Sequence, residues 1–387
     1  MYRLFAYKFL ADFWVIVPIL IPFYKAHGMS ATRILTIQAA YSLSQMLFEI
    51  PSGYLSDCIG RRRTLIAAAA LLFAGVCIYS FSGDFWMFIT AEIVLGMAGA
   101  LKSGTDSALL YDTLKMSHNE HRYTRFEGRA EFWCRTGTAI SSITGGVLGA
   151  IATVRLPFYV NAATALAMVA IAVTLREPHR EKRPEGNALL NIFTISRGSV
   201  INPPLLAIML LAGIIGSTGV TAIWGYFMFY GNTGLPLYWY GVIFAVMQMI
   251  SAFGARHSHD IAARTGPQAA FRLFALIGLL FGVFFLTESR WLIALVFIHA
   301  ILWGMSTPLL LDRINLLTTS DIRATTLSVG SMIGRIMTIV GGPLFGYFVD
   351  HYSLGTAFGA MGMVYLATVP VLVVFILKGE KRKVLNN

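Results

Sequence analysis

Gly53-Tyr54-Leu55-Ser56-Asp57-Cys58-Ile59-Gly60-Arg61-Arg62-Arg63-Thr64-Leu65 lies between two apolar runs, one beginning near Ile34 and the next at Leu65. An acid, a turn glycine and three consecutive arginines therefore stand at the mouth of two hydrophobic segments. Lys and Arg accumulate in the short cytoplasmic loops that join membrane helices, and the stretch reads as such a loop. The composition agrees. Hydrophobic residues make up 56% of the 387 and charged residues 13%, about half the charged share of a soluble domain. A chain this apolar belongs in a bilayer.

Working outward from the loop, twelve apolar segments follow one another: 4–25, 33–55, 64–82, 85–113, 128–153, 156–175, 203–231, 237–257, 267–287, 291–315, 325–349 and 354–377. Each is about long enough to cross a hydrocarbon core of ~30 Å at ~1.5 Å per residue. The runs are continuous rather than alternating, which excludes a β-barrel. The net charge of +11 suggests nucleic acid only until its distribution is considered. Arg61 to Arg63, Lys115 to Arg129, Arg176 to Arg197, Arg256 to Arg272, Arg313 to Arg323 and Lys378 to Lys383 all fall on one side of the spans. That side is expected to be the cytoplasm, with both termini on it. The first run carries Lys8 and Asp12 and has no small-residue cleavage site, so it is expected to be a span and not a signal peptide. Cys58, Cys77 and Cys134 have unrelated spacings and make neither a metal site nor a disulfide framework.

The signature stretch resembles the loop between helices 2 and 3 of the major facilitator superfamily of secondary transporters. That family's pattern is roughly Gly-x-Leu-Ala-Asp-Arg-x-Gly-Arg-Lys-x-x-Leu. The chain matches at Gly53, Leu55, Asp57, Gly60, Arg61 and Leu65, with Arg62 in place of Lys, and departs at Cys58. The resemblance implies an all-α membrane protein of twelve transmembrane helices in two pseudo-symmetric six-helix bundles. Residues 1–176 form the first bundle, 177–200 a charged, Pro-broken cytoplasmic linker and 201–387 the second bundle. Part of the linker, 187–196, is a candidate interfacial helix. An internal repeat agrees: Leu109-Leu110-Tyr111-Asp112 recurs as Leu310-Leu311-Asp312, each followed by a span with one Arg and a glycine pair. Those are Arg135 with Gly145-Gly146, and Arg335 with Gly341-Gly342.

No nucleophile elbow, phosphate-binding loop or zinc-protease motif is present, so no enzyme and no cofactor is expected. Ionisable groups inside the spans carry the information instead, because each is costly there unless paired or wetted. Asp12, Glu92, Asp106 and Glu131 are candidate proton-coupling residues. In span 4, Glu92, Gly96, Gly99, Lys102, Ser103 and Asp106 share one face, and Lys102 is expected to pair with Asp106 at i,i+4. The family carries an Arg where alignment puts Glu92, a reversal of charge. Arg135, Arg335, Lys102, Gln38, Gln45, Gln248 and His299 are candidate substrate contacts. Trp14, Tyr41, Trp224, Tyr226, Tyr230 and Trp303 are a candidate aromatic wall. Gly53, Asp57, Gly60, Arg61 and Arg62 are expected to gate the cytoplasmic side, with Asp112, Glu127, Arg129 or Asp350 as partners.

Gly137, Gly145 and Gly146 also resemble a glycine motif of proton-exchanging exporters, although Ser141-Ser142 replace its Gly-Pro. The expectation is a monomer of the inner (plasma) membrane that moves a small organic solute by alternating access, coupled to protons. Export by antiport comes first, then uptake of a nutrient or metal chelate. A membrane sensor without flux is the reading from another class.

Overall fold

A computed structural model describes residues 1–178, 202–265, 267–287, 289–318 and 323–386. The expected interfacial helix at 187–196 lies outside them. Every regular element among the described residues is helical. Eight helices are long and apolar enough to cross a membrane, and Val17–Ala26 and Phe274–Leu286 are shorter apolar helices. The chain divides into two compact units, Met1–Arg183 with Gly234–Val246 and Pro184–Thr233 with Met247–Asn387.

The first unit contains α1 (Tyr2–Ala11), α2 (Leu20–Ala26), α3 (Ala31–Ile59), α4 (Arg61–Phe81), α5 (Phe85–Lys102), α6 (Thr105–Met116), α7 (Tyr123–Ile151) and α8 (Leu156–Thr174). Short polar residues start several of these. Ser30 accepts from the Arg33 N–H at the head of α3, and Asp84 accepts from the Trp86 and Met87 N–H groups at the head of α5. Helix α3 packs on α5, α4 on α5 and α8, and α1 on α7 and α8.

Two expected spans are interrupted, and both interruptions have a sequence cause. The first span is helical to Ala11, leaves the helix over residues 12–16 and resumes through a 3-10 turn at Val17–Ile19 into α2. Pro18 lacks an N–H, and its ring collides with the carbonyl four residues back if the helix continues. The fourth span ends as α5 at Lys102 and restarts as α6 at Thr105, because Gly104 takes φ +73°, a left-handed conformation that a helix cannot carry through. Glycines of α7 make room for α1 and for the interruption after it. A Cβ at Gly137 would lie 2.6 Å from the Phe9 carbonyl, and one at Gly145 would overlap the Val15 carbonyl.

The second unit contains α9 (Pro203–Asn232), most of α10 (Leu237–Thr265), α11 (Pro267–Leu286), α12 (Ile293–Leu317), α13 (Arg323–His351) and α14 (Leu354–Asn386). Helix α9 packs on α12, α13 and α14, and α11 packs on α14. An aromatic cluster fills its interior: Tyr226 stacks on Phe358, which also packs on Phe281, Phe284 and Phe345. Tyr226 and Tyr230 are each 1% exposed. These two rings of the expected aromatic wall are thus buried within the unit. Trp224 and Trp303 are half-buried, and the Trp303 indole lies against Gly219.

Candidate functional site

The interrupted helices bring their charges together. At the end of α5, Lys102 Nζ meets Asp12 Oδ1 at 2.6 Å, joining the two breaks. The expected Lys102–Asp106 pair does not form, because the break at Gly104 turns α6 away from the register that an unbroken helix would give. Asp106 instead faces Lys8 Nζ at 3.5 Å, and Lys8 also reaches Glu127 Oε1 at 2.8 Å. Ser107 completes this second cluster by donating to Glu127 Oε1 at 2.7 Å and accepting from Lys8 at 3.3 Å. Lys8, whose side chain is 4% exposed, thus has two carboxylates and a hydroxyl around it.

Helix dipoles favour three of the four charges at the breaks. Lys8 lies in the last turn of α1, Lys102 in the last turn of α5 and Asp106 in the first turn of α6. Asp12, the C-cap of α1, has the wrong sign for its position. It depends on Lys102. The unwound backbone beside it is satisfied by side chains: the Val15 N–H donates to Asn161 Oδ1 at 2.9 Å, and Thr138 Oγ1 donates to the Asp12 carbonyl at 3.2 Å. Irregular backbone at membrane depth is tolerated where protein satisfies it in this way. Across both clusters, Asp12, Asp106 and Glu127 face Lys8 and Lys102, so the carboxylates outnumber the ammonium groups by one.

Glu131 and Arg135 pair with each other at 2.7 Å, more than half exposed and one turn apart on α7. Glu92 stands elsewhere, toward the start of α5. Its Oε1 accepts from the Tyr79 hydroxyl at 2.6 Å and the Gln38 amide at 2.9 Å. Gln45 lies beside Gly99, close enough that a Cβ there would come within 3.3 Å of its amide nitrogen. In the second unit Arg335 and Gln248 are half-buried. His299 is 2% exposed among Tyr226 and Phe281, and among the described residues neither its ring nitrogens nor the Tyr226 hydroxyl has a hydrogen-bond partner.

The signature loop is built around a residue that sequence reasoning missed. Gly60 has φ +105°, and Glu177, just after α8, reaches back to the head of α4. Its carboxylate accepts from the Arg61 N–H at 2.8 Å and the Arg62 N–H at 2.7 Å. A Cβ on residue 60 would come within 2.8 Å of that carboxylate. Arg61 pairs with Asp57 at 3.0 Å and Asp112 at 3.6 Å, and Arg62 donates to the Val173 carbonyl at 2.6 Å. Of the expected partners, Asp112 is thus joined to Arg61 and Glu127 is committed to Lys8. Among the described residues nothing lies within 4 Å of a Cβ built on Gly53, so the packing seen there gives no reason for a glycine. Glu177 acts as a helix N-cap supplied from the segment that follows α8. Glu177→Ala is expected to cost about 1 kcal/mol, a usual value for a lost cap, read as a lower thermal midpoint of the purified protein. Glu177→Gln should cost less, because its amide oxygen still accepts one of the two bonds. An unchanged midpoint in Glu177→Ala would count against the cap.

Interrupted membrane helices whose ends carry paired charges are the architecture of transport proteins rather than of enzymes. The comparisons with known proteins agree. The chain belongs to the Major Facilitator Superfamily, whose profile matches residues 9–342. It is similar to the class G tetracycline resistance protein of Vibrio anguillarum, 27% identical over 253 residues, 63% of this chain and 59% of that protein. It is also similar to a probable vesicular acetylcholine transporter-B of Danio rerio, 28% identical over 190 residues, 46% of this chain and 38% of that one. These matches span less than two thirds of either relative. Among solved structures, a mutant of the nucleoside transporter NupG superposes with a TM-score of 0.79 at 12% identity, over 97% of this chain and 98% of that one. The chain therefore shares the fold of that structure over nearly its whole length.

Proposed function

We propose that this protein is a secondary active transporter of the inner (plasma) membrane. It moves a small organic solute by alternating access between two six-helix bundles, with both termini cytoplasmic. The observation that carries the reading is the Asp12–Lys102 ion pair at the meeting of two interrupted helices. Broken helices expose backbone and charge at the depth where secondary transporters bind their cargo. Twelve spans and a pseudo-symmetric pair of bundles are part of the proposal. They are supported by the recurrence of packing: α4 on α8 and α1 on α7 and α8 in the first unit correspond to α11 on α14 and α9 on α13 and α14 in the second. Arg61, Asp57 and Asp112 gate the cytoplasmic end in this reading, as a monomer.

Proton-coupled export by antiport is the direction favoured here. The carboxylate in excess across the two charged clusters can be neutralised by a proton or by a positively charged group on the solute, but not by both at once. That competition is what an exchanger needs. The names of two relatives, one for tetracycline resistance and one for acetylcholine transport, accord with an organic cargo able to carry positive charge.

The test is proton movement in purified proteoliposomes holding a pH-sensitive dye, with a panel of organic cations, zwitterions, anions and metal chelates added in turn. A cation or zwitterion should drive protons in the direction opposite to itself. Co-movement of protons and solute would reverse the direction to uptake. Binding without flux of any panel member would support a sensor.

A further inference from the structure

Ten residues of α5, ~15 Å of helix, separate Glu92 from the break at Lys102. They divide two environments of opposite kind. Around the break every carboxylate has an ammonium group within reach. Glu92 makes no ion pair among the described residues, although it is only 5% exposed. A carboxylate buried at membrane depth without a countercharge is strongly disfavoured, and its usual resolution is to take up a proton.

The groups facing Glu92 are all neutral, and they are ordered. From α4, the Tyr79 hydroxyl donates to Oε1, and from α3 the Gln38 amide donates to the same oxygen. From α2, Tyr24 is hydrogen-bonded to the Tyr79 hydroxyl, and its own oxygen accepts from Gln38 at 3.3 Å. The donors close a ring in which Gln38 serves Glu92 and Tyr24, Tyr24 serves Tyr79, and Tyr79 serves Glu92. Both donors to the carboxyl converge on Oε1, which leaves Oε2 as the oxygen to carry a proton. Phe88 and Phe158 shield the rings of Tyr24 and Tyr79.

Charged and titratable groups of the surrounding elements stand outside that hydrogen-bonded shell. His27 lies against Phe88, and its Nε2 accepts from Arg155 at 2.9 Å, which fixes its proton on Nδ1 toward the Phe23 carbonyl. Arg33 sits over Phe85, and Asp84 caps α5. Tyr79 is 18 residues along α4 from Arg61, ~27 Å from the signature loop. The cluster is therefore at the opposite end of the unit.

We infer that Glu92, with Tyr79, Gln38 and Tyr24, is a proton-binding site separate from the charged breaks, at the end of the first unit away from the signature loop. As the loading point for the coupling ion, it rests on the proton-coupled reading above. Glu92 then takes up the proton first, and the rigid helix α5 connects it to the charged clusters where proton and solute compete.

Infrared difference spectroscopy of the purified protein across a pH titration tests the site without any solute. The wild type should show a titrating carbonyl stretch of a protonated carboxylic acid. Glu92→Gln should lose it, Tyr79→Phe should keep it at a shifted frequency because a donor to Oε1 is gone, and Asp12→Asn should keep it unchanged. Thermal unfolding of each variant controls for misfolding, and Tyr79→Phe supplies a second probe if Glu92→Gln does not fold. The band persisting undiminished in Glu92→Gln, or no such band in the wild type, overturns the inference. A band behaving as expected in a protein without solute flux would retain the site and remove the transport reading.

Discussion

Asp12→Asn is expected to lower the initial rate of solute movement at least about tenfold, the loss that ~1.4 kcal/mol of differential interaction produces. It should also destabilise the fold, because Lys102 then stands at the break without its carboxylate. Removing one partner of a fully buried pair costs ~3–5 kcal/mol. Here the side chains are 34% and 24% exposed, so solvent screens part of that, and about 1–2 kcal/mol is the expected loss. The double variant Asp12→Asn/Lys102→Met separates structure from function. With both charges gone no buried charge is orphaned, so thermal stability should return close to wild type. Transport should not return, because the carboxylate at the end of α1 is there against the local dipole and has no structural reason to be kept. Recovery of both stability and transport in the double variant would make the pair a brace between helices.

The second large effect is at Gly145. A methyl group at this position would overlap the Val15 carbonyl, in the unwound stretch that holds Asp12. Backbone cannot swing aside as a side chain can, so α7 must move off the break. Overpacking in a dense interior costs ~1–3 kcal/mol; Gly145→Ala should fall at the upper end, and Gly145→Val should prevent recovery of folded protein. The same break can be attacked from the other side. Asn161→Leu leaves the Val15 N–H buried without an acceptor, a loss of ~1–3 kcal/mol. Thermal unfolding in detergent reads both variants. A wild-type midpoint in Gly145→Ala would mean that α7 and the break are not in contact. The glycines that resemble an exporter motif thus have a packing role that is independent of the direction of transport.

Much of the site is legible in single residues and little of it in pairs. Asp12, Lys102, Asp106 and Glu92 stand out because charge is rare in apolar spans. Their partners do not, because the i,i+4 rule assumes one continuous helix. Gly104 and Pro18 were the available signals that the first and fourth spans break, and they redirect Lys102 to Asp12 and Asp106 to Lys8. Glu177 lies 116 residues from Arg61, and no local pattern joins a carboxylate after one helix to the N–H groups of another. Tyr226 and Tyr230 show a different ambiguity. An aromatic ring in an apolar span fits a binding wall or a core equally well, and its burial is not legible in the sequence.

The helical fold and the signature loop are legible for a different reason. Hydropathy fixes the helices, and Gly60 is demanded by its positive φ and by the carboxylate packed against it.

The most direct test of alternating access at the breaks is thiol labelling at Ser103, an exposed residue between α5 and α6. Ser103→Cys is made in a background with Cys58, Cys77 and Cys134 replaced by Ser, and a membrane-impermeant reagent is applied from either side of sealed vesicles. The account predicts labelling from both sides, with a transported solute changing both rates in opposite senses. Labelling from one side alone, unchanged by every solute that the protein binds, would contradict it.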